Sequence, residues 1–456
     1  MSWDGLSTCR AMRAWQDQTT PSINFDITCI KFRSSTPPDM KPFPPFGSTR
    51  TQVDAALDAM VLGDAKWRDG RVPLYVFGGD ADAFAVGRDA FFRFFSENAL
   101  GARRAFGSVR SMEQDLIEMG LSLFNGNEKM AGIVTSGGSE SIFLAVRAAR
   151  AEARASRGLA KGIGNLVLPE TAHPAFTKAA QSMDLEERRI PVMADGRAAV
   201  DPMEQAIDAE TVMLVGSAPC FPYGVIDPIE RLGQVAQAHG AWLHVDACVG
   251  GYLAPFVREL GYPIPAFDLA VPGVSSLSAD LHKYGFCPKP ASTVFFSSQA
   301  RATRAGFDMD VWPSGRFVTS TLVGTRPAGG VAGAWATIQF LGAEGYRKVA
   351  LQVMQMRDAY RDGIKAIPGY RMAAEPDLAV MAFGDPGIDM MRVAALMNER
   401  GWVPGTISRP PGLHLMLSLL HVDAREPYLA DLAHCSRLAR AQAANGLIGT
   451  CASAIY

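Results

Sequence analysis

A lysine and an aspartate, each close behind a segment typical of a buried strand, are the residues of this chain with the most specific chemistry. Lys283 ends the run 278–283, and it lies 37 residues after Asp246, which closes the apolar run 241–245. A lysine amine forms a Schiff base with an aldehyde, and a carboxylate keeps a pyridine nitrogen protonated so that the ring accepts electrons. A carboxylate placed after such an apolar run is costly to bury unless a cation pairs with it. The pair therefore indicates a cofactor with an aldehyde and a pyridine ring, unless Lys283 is an ordinary surface charge.

A turn rich in glycine and hydroxyl groups, residues 135–141, joins a strand-like segment to a helical one and could bind a phosphate group. Glycines let the backbone approach an anion, and the first turn of a helix offers free N–H groups. Alone the motif is weak, because many strand–helix turns are glycine-rich for steric reasons. Together with Lys283 and Asp246, it points to pyridoxal phosphate.

Two of the seven histidines have positions that suit this cofactor. His173 follows the apolar run 165–168 and could stack on a planar ring, although such a histidine more often caps a helix or occupies a turn. His282 adjoins Lys283 and could donate to a phosphate, or could simply pack around the lysine. His244 lies inside a strand-like run and is interpreted as a core histidine with satisfied hydrogen bonds. The glycine turn, His173, Asp246 and Lys283 follow one another in this order along the chain. All four are much less likely to occur together by chance than any single one.

Composition and charge describe a soluble globular enzyme of more than one domain. The 456 residues are 48% hydrophobic and 20% charged, with a formal net charge of −2, which gives no reason to expect a nucleic-acid or membrane partner. No run reaches the roughly 18 apolar residues of a spanning helix, and the first residues lack the apolar core of a signal peptide. The cysteines are odd in number and scattered without a C-x-x-C pair, which favours reduced thiols in the cytoplasm and no metal site. They are Cys9, Cys29, Cys220, Cys248, Cys287, Cys435 and Cys451.

From about residue 51 onward, short apolar runs alternate with helical patterns. The strand-like runs are 132–135, 165–168, 212–215, 241–245, 269–271 and 293–296. Their nearly continuous apolar character predicts an α/β fold, with a mostly parallel sheet covered by helices on both faces. Ligands bind such sheets at the carboxyl ends of the strands, where Asp246 and the glycine turn lie.

The remaining patterns divide the chain into three parts. Residues 1–50 are rich in proline and hydroxyl residues and are predicted to form an N-terminal arm that packs on another surface, or else a partly disordered tail. Residues 51–335 form the predicted large domain, with helices over 141–156 and from an Asp227 N-cap with Pro228 at N1. A long helix over 331–367 leads into a small C-terminal α/β domain, residues 336–456. Its predicted elements are a strand at 379–383, a helix over 389–400, an apolar run at 413–420 and a helix from about Glu426.

In these motifs the chain resembles fold-type I pyridoxal phosphate enzymes of the group II decarboxylase superfamily, and within it the sphingosine-1-phosphate lyases. The matching segments are VTSGGSES (134–141), GSAPCFPYGVIDP (216–228), HVDACVGG (244–251), VSSLSADLHKYGFCPK (274–289), GTRPAGG (324–330) and LGAEGY (341–346). The resemblance covers residues 50–350 well and the remainder loosely. It is more specific for cofactor and fold than for substrate.

The resemblance implies a role for each matching residue. Lys283 would be the Schiff-base lysine, Asp246 the partner of the pyridine nitrogen, and His173 the residue stacked on the ring. The implied cofactor-binding set is Gly138, Ser139, His173, Ser217, Asp246, His282 and Lys283, and the implied catalytic set is Lys283, Asp246, His173, Lys289 and Tyr223. The family also implies a homodimer with the active site at the interface, where the loop 324–330 would approach the partner's cofactor.

Two segments depart from the lyase pattern in regions that bind the substrate phosphate in that family. A tyrosine of the family corresponds to Phe77, unless Tyr75 replaces it, and the segment NALG at 98–101 lacks the family's histidine. Arg103 and Arg104 are candidates to compensate, or are solvated surface charges. No apolar segment corresponds to the membrane anchor of the eukaryotic lyases.

The resulting hypothesis is carbon–carbon cleavage of a phosphorylated 2-amino-3-hydroxy long-chain base to an aldehyde and an amine. Tyr223 or Lys289 would remove the proton of the β-hydroxyl group. The alternative is decarboxylation of an amino acid, because the same electron sink serves both reactions. A catalytically silent binding or regulatory protein is disfavoured, since the lysine, the aspartate and the stacking histidine are all present.

Overall fold

The computed structural model describes residues 41–444, so most of the predicted arm, residues 1–50, lies outside the described residues. The chain divides into two compact units, the first ending at Asp64 and the second starting at Ala65. In the first unit, one helix begins after a capping box formed by Thr49 and Gln52. The domain boundaries at residues 50 and 335 stay predictions.

The helices and strands of the described residues alternate along most of the chain. The helices are α1 (Arg50–Val61), α2 (Ala81–Arg93), α3 (Gly107–Leu123), α4 (Gly138–Arg157), α5 (Ala175–Ser182), α6 (Val200–Gln205), α7 (Ile229–His239), α8 (Ala254–Glu259), α9 (Gln299–Ala305), α10 (Ala328–Lys365), α11 (Met390–Glu399) and α12 (Arg425–Ala444). The strands are β1 (Ala131–Thr135), β2 (Asn165–Pro169), β3 (Glu186–Ile190), β4 (Thr211–Ser217), β5 (Trp242–Asp246), β6 (Val274–Ala279), β7 (Ser292–Phe296), β8 (Phe307–Met309), β9 (Phe317–Thr319), β10 (Arg371–Met372), β11 (Val380–Gly384), β12 (Gly405–Ser408) and β13 (Pro411–Met416).

A seven-stranded sheet in the order β1-β7-β6-β5-β4-β2-β3 confirms the predicted mostly parallel α/β fold. Strands β6, β5, β4, β2 and β3 are parallel neighbours, whereas β7 runs antiparallel to both β1 and β6. Apolar side chains pack on both faces, with Val167 and Val245 in one core and Leu166 and Val215 in the other. Burial on both faces explains why these strands read as continuous apolar runs.

In the large sheet, one predicted strand is wrong, and two strands, β6 and β3, were not predicted. The run 269–271 lies in a turn, and the strand of this region is β6, five residues further on. Serines obscured β6 in the sequence, although the buried Ser276 Oγ accepts from Trp242 Nε1 at 2.8 Å and bonds to His244 Nδ1 at 2.8 Å. Strand β3 was missed because it is a charged edge strand, EERRI, with little apolar signal.

The predicted N-cap of α7 is also wrong. The helix begins at Ile229 with Pro228 at the cap position and no side-chain cap bond. The Asp227 carboxylate instead accepts from the backbone N–H groups of Ser217, at 2.7 Å, and Ala198, at 2.8 Å. It therefore secures the end of β4, which lines the candidate site, rather than the helix.

The C-terminal elements form a four-stranded antiparallel sheet in the order β10-β11-β13-β12. The predicted strand, helix and final helix of this region correspond to β11, α11 and α12. The predicted long helix corresponds to α10, which is kinked at Gly342, where φ is 53°. Within residues 41–444, no helix has both the length and the apolar character needed to cross a membrane.

Candidate active site

A cavity of about 380 Å³ lies where five strands of the large sheet end. Its walls come from the residues that follow β1, β2 and β6 and from the last residues of β4 and β5. All seven residues of the implied cofactor-binding set line this one cavity: Gly138, Ser139, His173, Ser217, Asp246, His282 and Lys283. Residues up to 145 positions apart in sequence thus meet at one edge of the sheet, as parallel strands require.

The glycine turn occupies one end of the cavity and presents the N-terminus of α4. Glu140 holds the turn, because its Oε2 accepts from both the backbone N–H and the hydroxyl of Ser136 at 2.7 Å. Its Oε1 accepts from the backbone N–H of Leu322 at 2.8 Å, which ties a distant loop to the turn. Gly138 is required here, since a Cβ would lie 2.7 Å from Cys248 Sγ and 2.9 Å from Asp280 Oδ2. The turn therefore offers backbone N–H groups and a helix dipole to an anion.

Asp246 is held in one orientation at the end of β5. Its side chain is buried, and its Oδ1 accepts from the Cys248 backbone N–H at 3.1 Å and from the Ser278 hydroxyl at 3.4 Å. The Ser278 hydroxyl in turn bonds to His244 Nε2 at 3.1 Å, so His244 is the satisfied core histidine that the sequence predicted. A fixed, buried carboxylate that lines the cavity suits a protonated ring nitrogen as its partner.

Lys283 forms an ion pair that sequence reasoning did not assign. Its Nζ lies 3.0 Å from Oδ2 of Asp280, which is 2% exposed. Burial by itself lowers the pKa of the Lys283 amine, but the charge of Asp280, with that of Asp246, raises this pKa overall above its ordinary value. Burial likewise opposes ionisation of Asp280, yet the Lys283 ammonium keeps the pKa of that carboxyl below its usual value. The available signal was the spacing, since Asp280 lies three residues before the lysine in the run already singled out.

The two histidines of the cavity are oriented by backbone N–H groups. His173 Nδ1 accepts from the Ala175 N–H at 3.1 Å, and its ring meets the edge of Phe221 with centroids 6.5 Å apart. His282 Nδ1 accepts from the Ala291 N–H at 3.2 Å. Burial lowers the pKa of both imidazoles, which favours the neutral form with the proton on Nε2.

Tyr223 and Lys289 lie outside this cavity. Tyr223 lines a neighbouring cavity of about 780 Å³, which shares Ser139, His173 and Phe221 with the first. Its hydroxyl donates to the backbone carbonyl of Arg409, and burial raises the pKa of the phenol. Lys289 Nζ donates to the backbone carbonyl of Tyr75 at 2.7 Å, and burial together with the charge of Lys283 lowers its pKa.

Phe77, which replaces a tyrosine of the lyase family, packs near Lys283, whereas the two arginines proposed to compensate lie elsewhere. The Phe77 ring packs edge-on against Tyr284, the neighbour of Lys283, with centroids 4.9 Å apart. Arg103 lines a separate groove of about 910 Å³ beside α3 and β1, and Arg104 is exposed. Within the described chain, neither arginine therefore lines the cavity that contains Lys283.

The residues present fit pyridoxal phosphate. A cavity of about 380 Å³ is within the range of about 300–1,000 Å³ typical of small-molecule sites. It provides an amine, a fixed carboxylate, a neutral imidazole and the N-terminus of a 20-residue helix. These groups match the aldehyde, the ring nitrogen, the ring face and the phosphate of the cofactor.

Comparison with known proteins defines the class. Residues 111–384 match the pyridoxal-dependent decarboxylase conserved domain, so the chain belongs to the pyridoxal phosphate-dependent decarboxylase superfamily. The chain is 38% identical to sphingosine-1-phosphate lyase of rice over 390 residues, which are 84% of this chain and 71% of the rice protein. It is 33% identical to mouse sphingosine-1-phosphate lyase 1 over 389 residues, which are 85% and 67% of the two chains.

A solved structure agrees with these relatives. The sphingosine-1-phosphate lyase of Burkholderia pseudomallei superposes with a TM-score of 0.84 at 33% identity, covering 89% of this chain and 95% of that one. The chain belongs to the sphingosine-1-phosphate lyase family and is a pyridoxal phosphate-dependent lyase.

Proposed function

We propose that this lyase cleaves a phosphorylated 2-amino-3-hydroxy long-chain base to an aldehyde and a phosphorylated amine. The observation that carries the proposal is the junction of the two cavities, which share Ser139, His173 and Phe221. A substrate whose amine reaches Lys283 in the smaller cavity can extend its chain into the larger one. The substrates of the family's relatives, as their names state them, support the same choice.

The residues of the smaller cavity would each contact a different part of the cofactor. Lys283 would bind the cofactor, Asp246 would hold a proton on the ring nitrogen, and His173 would cover one ring face. When bound, pyridoxal phosphate supplies an electron sink for the pair left by the broken carbon–carbon bond. Gly138 and Ser139 would hold the phosphate at the α4 N-terminus.

The larger cavity suits a long apolar chain with a polar end. Apolar side chains line it on several sides: Ala172, Pro174, Ala175, Phe221, Pro222 and Ile407. Lys178, Tyr223 and Arg409 add polar groups. Burial of the chain would contribute roughly 0.8 kcal/mol per methylene group.

The proton of the β-hydroxyl group needs an acceptor. Lys289 and Tyr223 are the two candidates, and the directions of their pKa shifts differ. The lowered pKa of Lys289 increases the fraction of its amine that is free to accept a proton, whereas the raised pKa of Tyr223 keeps the phenol protonated. Either group could accept this proton: Lys289 is favoured by its pKa, and Tyr223 by its position in the wall of the larger cavity.

Substrate cleavage by the cofactor-loaded enzyme tests the proposal. A phosphorylated long-chain 2-amino-1,3-diol and a panel of amino acids are offered separately, and aldehyde and CO₂ are measured. We expect aldehyde without CO₂ from the diol phosphate. Release of CO₂ from an amino acid, with no aldehyde from the diol phosphate, would instead establish the decarboxylase alternative. Equal turnover of the unphosphorylated diol would overturn the phosphate requirement.

The Lys283→Ala variant is the control for the chemistry. It should lose both turnover and the visible absorbance band that a lysine-bound pyridoxal group produces. A band that survives in this variant would show that another lysine binds the cofactor.

Assembly and compartment remain parts of this proposal. We propose a homodimer in the cytoplasm, with the loop 324–330 close to the partner's cofactor. Arg326 anchors that loop beside the glycine turn, since it pairs with Glu113 at 2.8 Å and donates to the Val134 carbonyl at 3.3 Å. The free, buried thiols of the described cysteines are consistent with a reducing compartment.

A further inference from the structure

Asp280 is a buried carboxylate whose contacts the proposed chemistry leaves unused. It follows β6, and its side chain is almost fully enclosed. Its Oδ2 lies 3.0 Å from Lys283 Nζ and 3.8 Å from His282 Nε2. Because an isolated carboxylate is very costly to bury, its partners must compensate for the lost hydration.

The carboxylate is wedged between the lysine and the first turn of α4. A Cβ on Gly138 would lie 2.9 Å and 3.0 Å from the two Asp280 oxygens, so the absence of a side chain at this position makes room for the carboxylate. The N-terminal end of α4 carries partial positive charge, which favours an anion there. Asp280 is thus closely enclosed by the first turn of α4, with the Lys283 ammonium as its nearest cation.

We propose that Asp280 is a positioning residue that holds the Lys283 amine inside the cavity whenever that amine is not bonded to the cofactor. If the proposed function holds, Lys283 would bind pyridoxal phosphate, would be released when a substrate amine binds, and would have to bind the cofactor again afterwards. A lysine side chain is long and flexible, and a released ammonium would otherwise move toward water. The ion pair keeps it within reach of the cavity.

The other charged and titratable groups around the amine do not replace Asp280. Asp246 is already bonded to Cys248 and Ser278, and His282 carries no charge in its neutral form. The Cys248 thiol is buried, and burial raises its pKa, so it stays neutral. Asp280 therefore makes the largest contribution that raises the pKa of the free Lys283 amine.

The test measures the reactivity of Lys283 in cofactor-free protein with acetic anhydride. Acetylation of each lysine is read by peptide mass spectrometry, with the exposed Lys348 as internal reference. Because a pKa change of one unit changes the unprotonated fraction tenfold, we expect Asp280→Asn to accelerate Lys283 acetylation about tenfold or more relative to Lys348. Equal rates in the wild type and this variant would overturn the proposal.

Two further variants distinguish the effect of the Asp280 charge on Lys283 acetylation from a general disturbance of the cavity. Glu140→Gln removes another buried carboxylate of the same cavity, one bonded to Ser136 and Leu322, and should leave the Lys283 rate unchanged. Asp280→Glu keeps the negative charge, so Lys283 should be acetylated as slowly in this variant as in the wild type. An equal acceleration in Glu140→Gln would show a structural effect and contradict the specific role of Asp280.

The wild-type protein alone also decides the question if Asp280→Asn does not fold. The pH profile of Lys283 acetylation should have its midpoint above the ordinary lysine value of about 10.4. A midpoint at or below that value would overturn the proposal. No substrate or cofactor is present, so the result is independent of which reaction the enzyme catalyses.

Discussion

At the residue scale, the buried His414 orients Phe221, a side chain that lines both cavities. His414 on β13 donates from Nε2 to the Phe221 carbonyl at 2.9 Å, and the two rings lie 4.5 Å apart. Phe221 lines both cavities and contacts His173. His414 therefore positions the wall between the cofactor cavity and the proposed chain cavity, although it lies in neither.

His414 should also make stability depend on pH. Burial lowers its pKa to about 4. Its folded-state pKa lies below the unfolded value of about 6.5, so its contribution is complete above pH 6.5 and is lost as the pH falls toward 4. His414→Gln retains an N–H donor without the titration. Between pH 7 and 4 the wild type should lose on the order of 2–3 kcal/mol more unfolding free energy than the variant.

Urea unfolding at a series of pH values measures this difference. Parallel pH profiles for the wild type and His414→Gln would show that the titration of His414 does not contribute to the pH dependence of stability. His244, whose pKa burial also lowers to about 4, remains in both proteins and leaves a shared slope.

At the element scale, the junction of β1 and α4 depends on close packing around Gly138. The neighbouring Gly137 has an extended backbone, with φ at 167°, and a Cβ there would meet only His282 Cε1, at 3.6 Å. The two adjacent glycines therefore differ in what they tolerate. Gly138 needs to lack a side chain, whereas Gly137 has space for one.

Alanine substitution separates the two positions. Gly138→Ala should destabilise the cofactor-free protein by about 1–3 kcal/mol, because the new methyl group overlaps Cys248 Sγ and the Asp280 carboxylate. Gly137→Ala should cost much less. Urea unfolding measures the free energy of unfolding of both variants. Equal decreases would show that the side chains around Gly138 move to accommodate the methyl group at little cost.

At the scale of the whole molecule, Tyr284 joins the seven-stranded sheet to the four-stranded sheet next to Lys283. Its buried hydroxyl donates to the backbone carbonyls of Leu417, at 2.7 Å, and Ala379, at 3.0 Å. Ala379 directly precedes β11, and Leu417 directly follows β13. The position of the lysine is therefore coupled to the C-terminal sheet.

Tyr284→Phe should lower the unfolding free energy by about 1–3 kcal/mol, since the buried Leu417 carbonyl loses its donor, whereas the Ala379 carbonyl keeps the Leu417 N–H. It should also weaken cofactor affinity, which titration of the cofactor-free protein with pyridoxal phosphate measures. Tyr370→Phe is the matched control, because its hydroxyl bonds to Ser436 within the C-terminal part at 2.7 Å. Loss of stability with unchanged affinity in both variants would argue against the coupling.

Much of the fold and the cofactor-binding set could be predicted because their signals are local. Five of the six predicted strands of the large sheet are continuous apolar runs that coincide with strands of the structure. The residues assigned to the cofactor lie in or just after strands, and parallel strands bring their carboxyl ends together. The resemblance to the lyase family supplied the set of seven, and their positions at strand ends explain why they meet at one cavity.

By itself, the sequence determined the fold class, the cofactor and the lysine, because strand periodicity and end-of-strand motifs express them locally. Only the tertiary structure decided that Asp280 pairs with Lys283, that Lys289 and Tyr223 lie outside the cofactor cavity, and that a serine-rich segment forms β6. These features depend on which distant groups become neighbours when charge and polar atoms are buried together. The sequence shows that a carboxylate lies a few residues from the lysine, but only the packing of the chain determines which cation pairs with it.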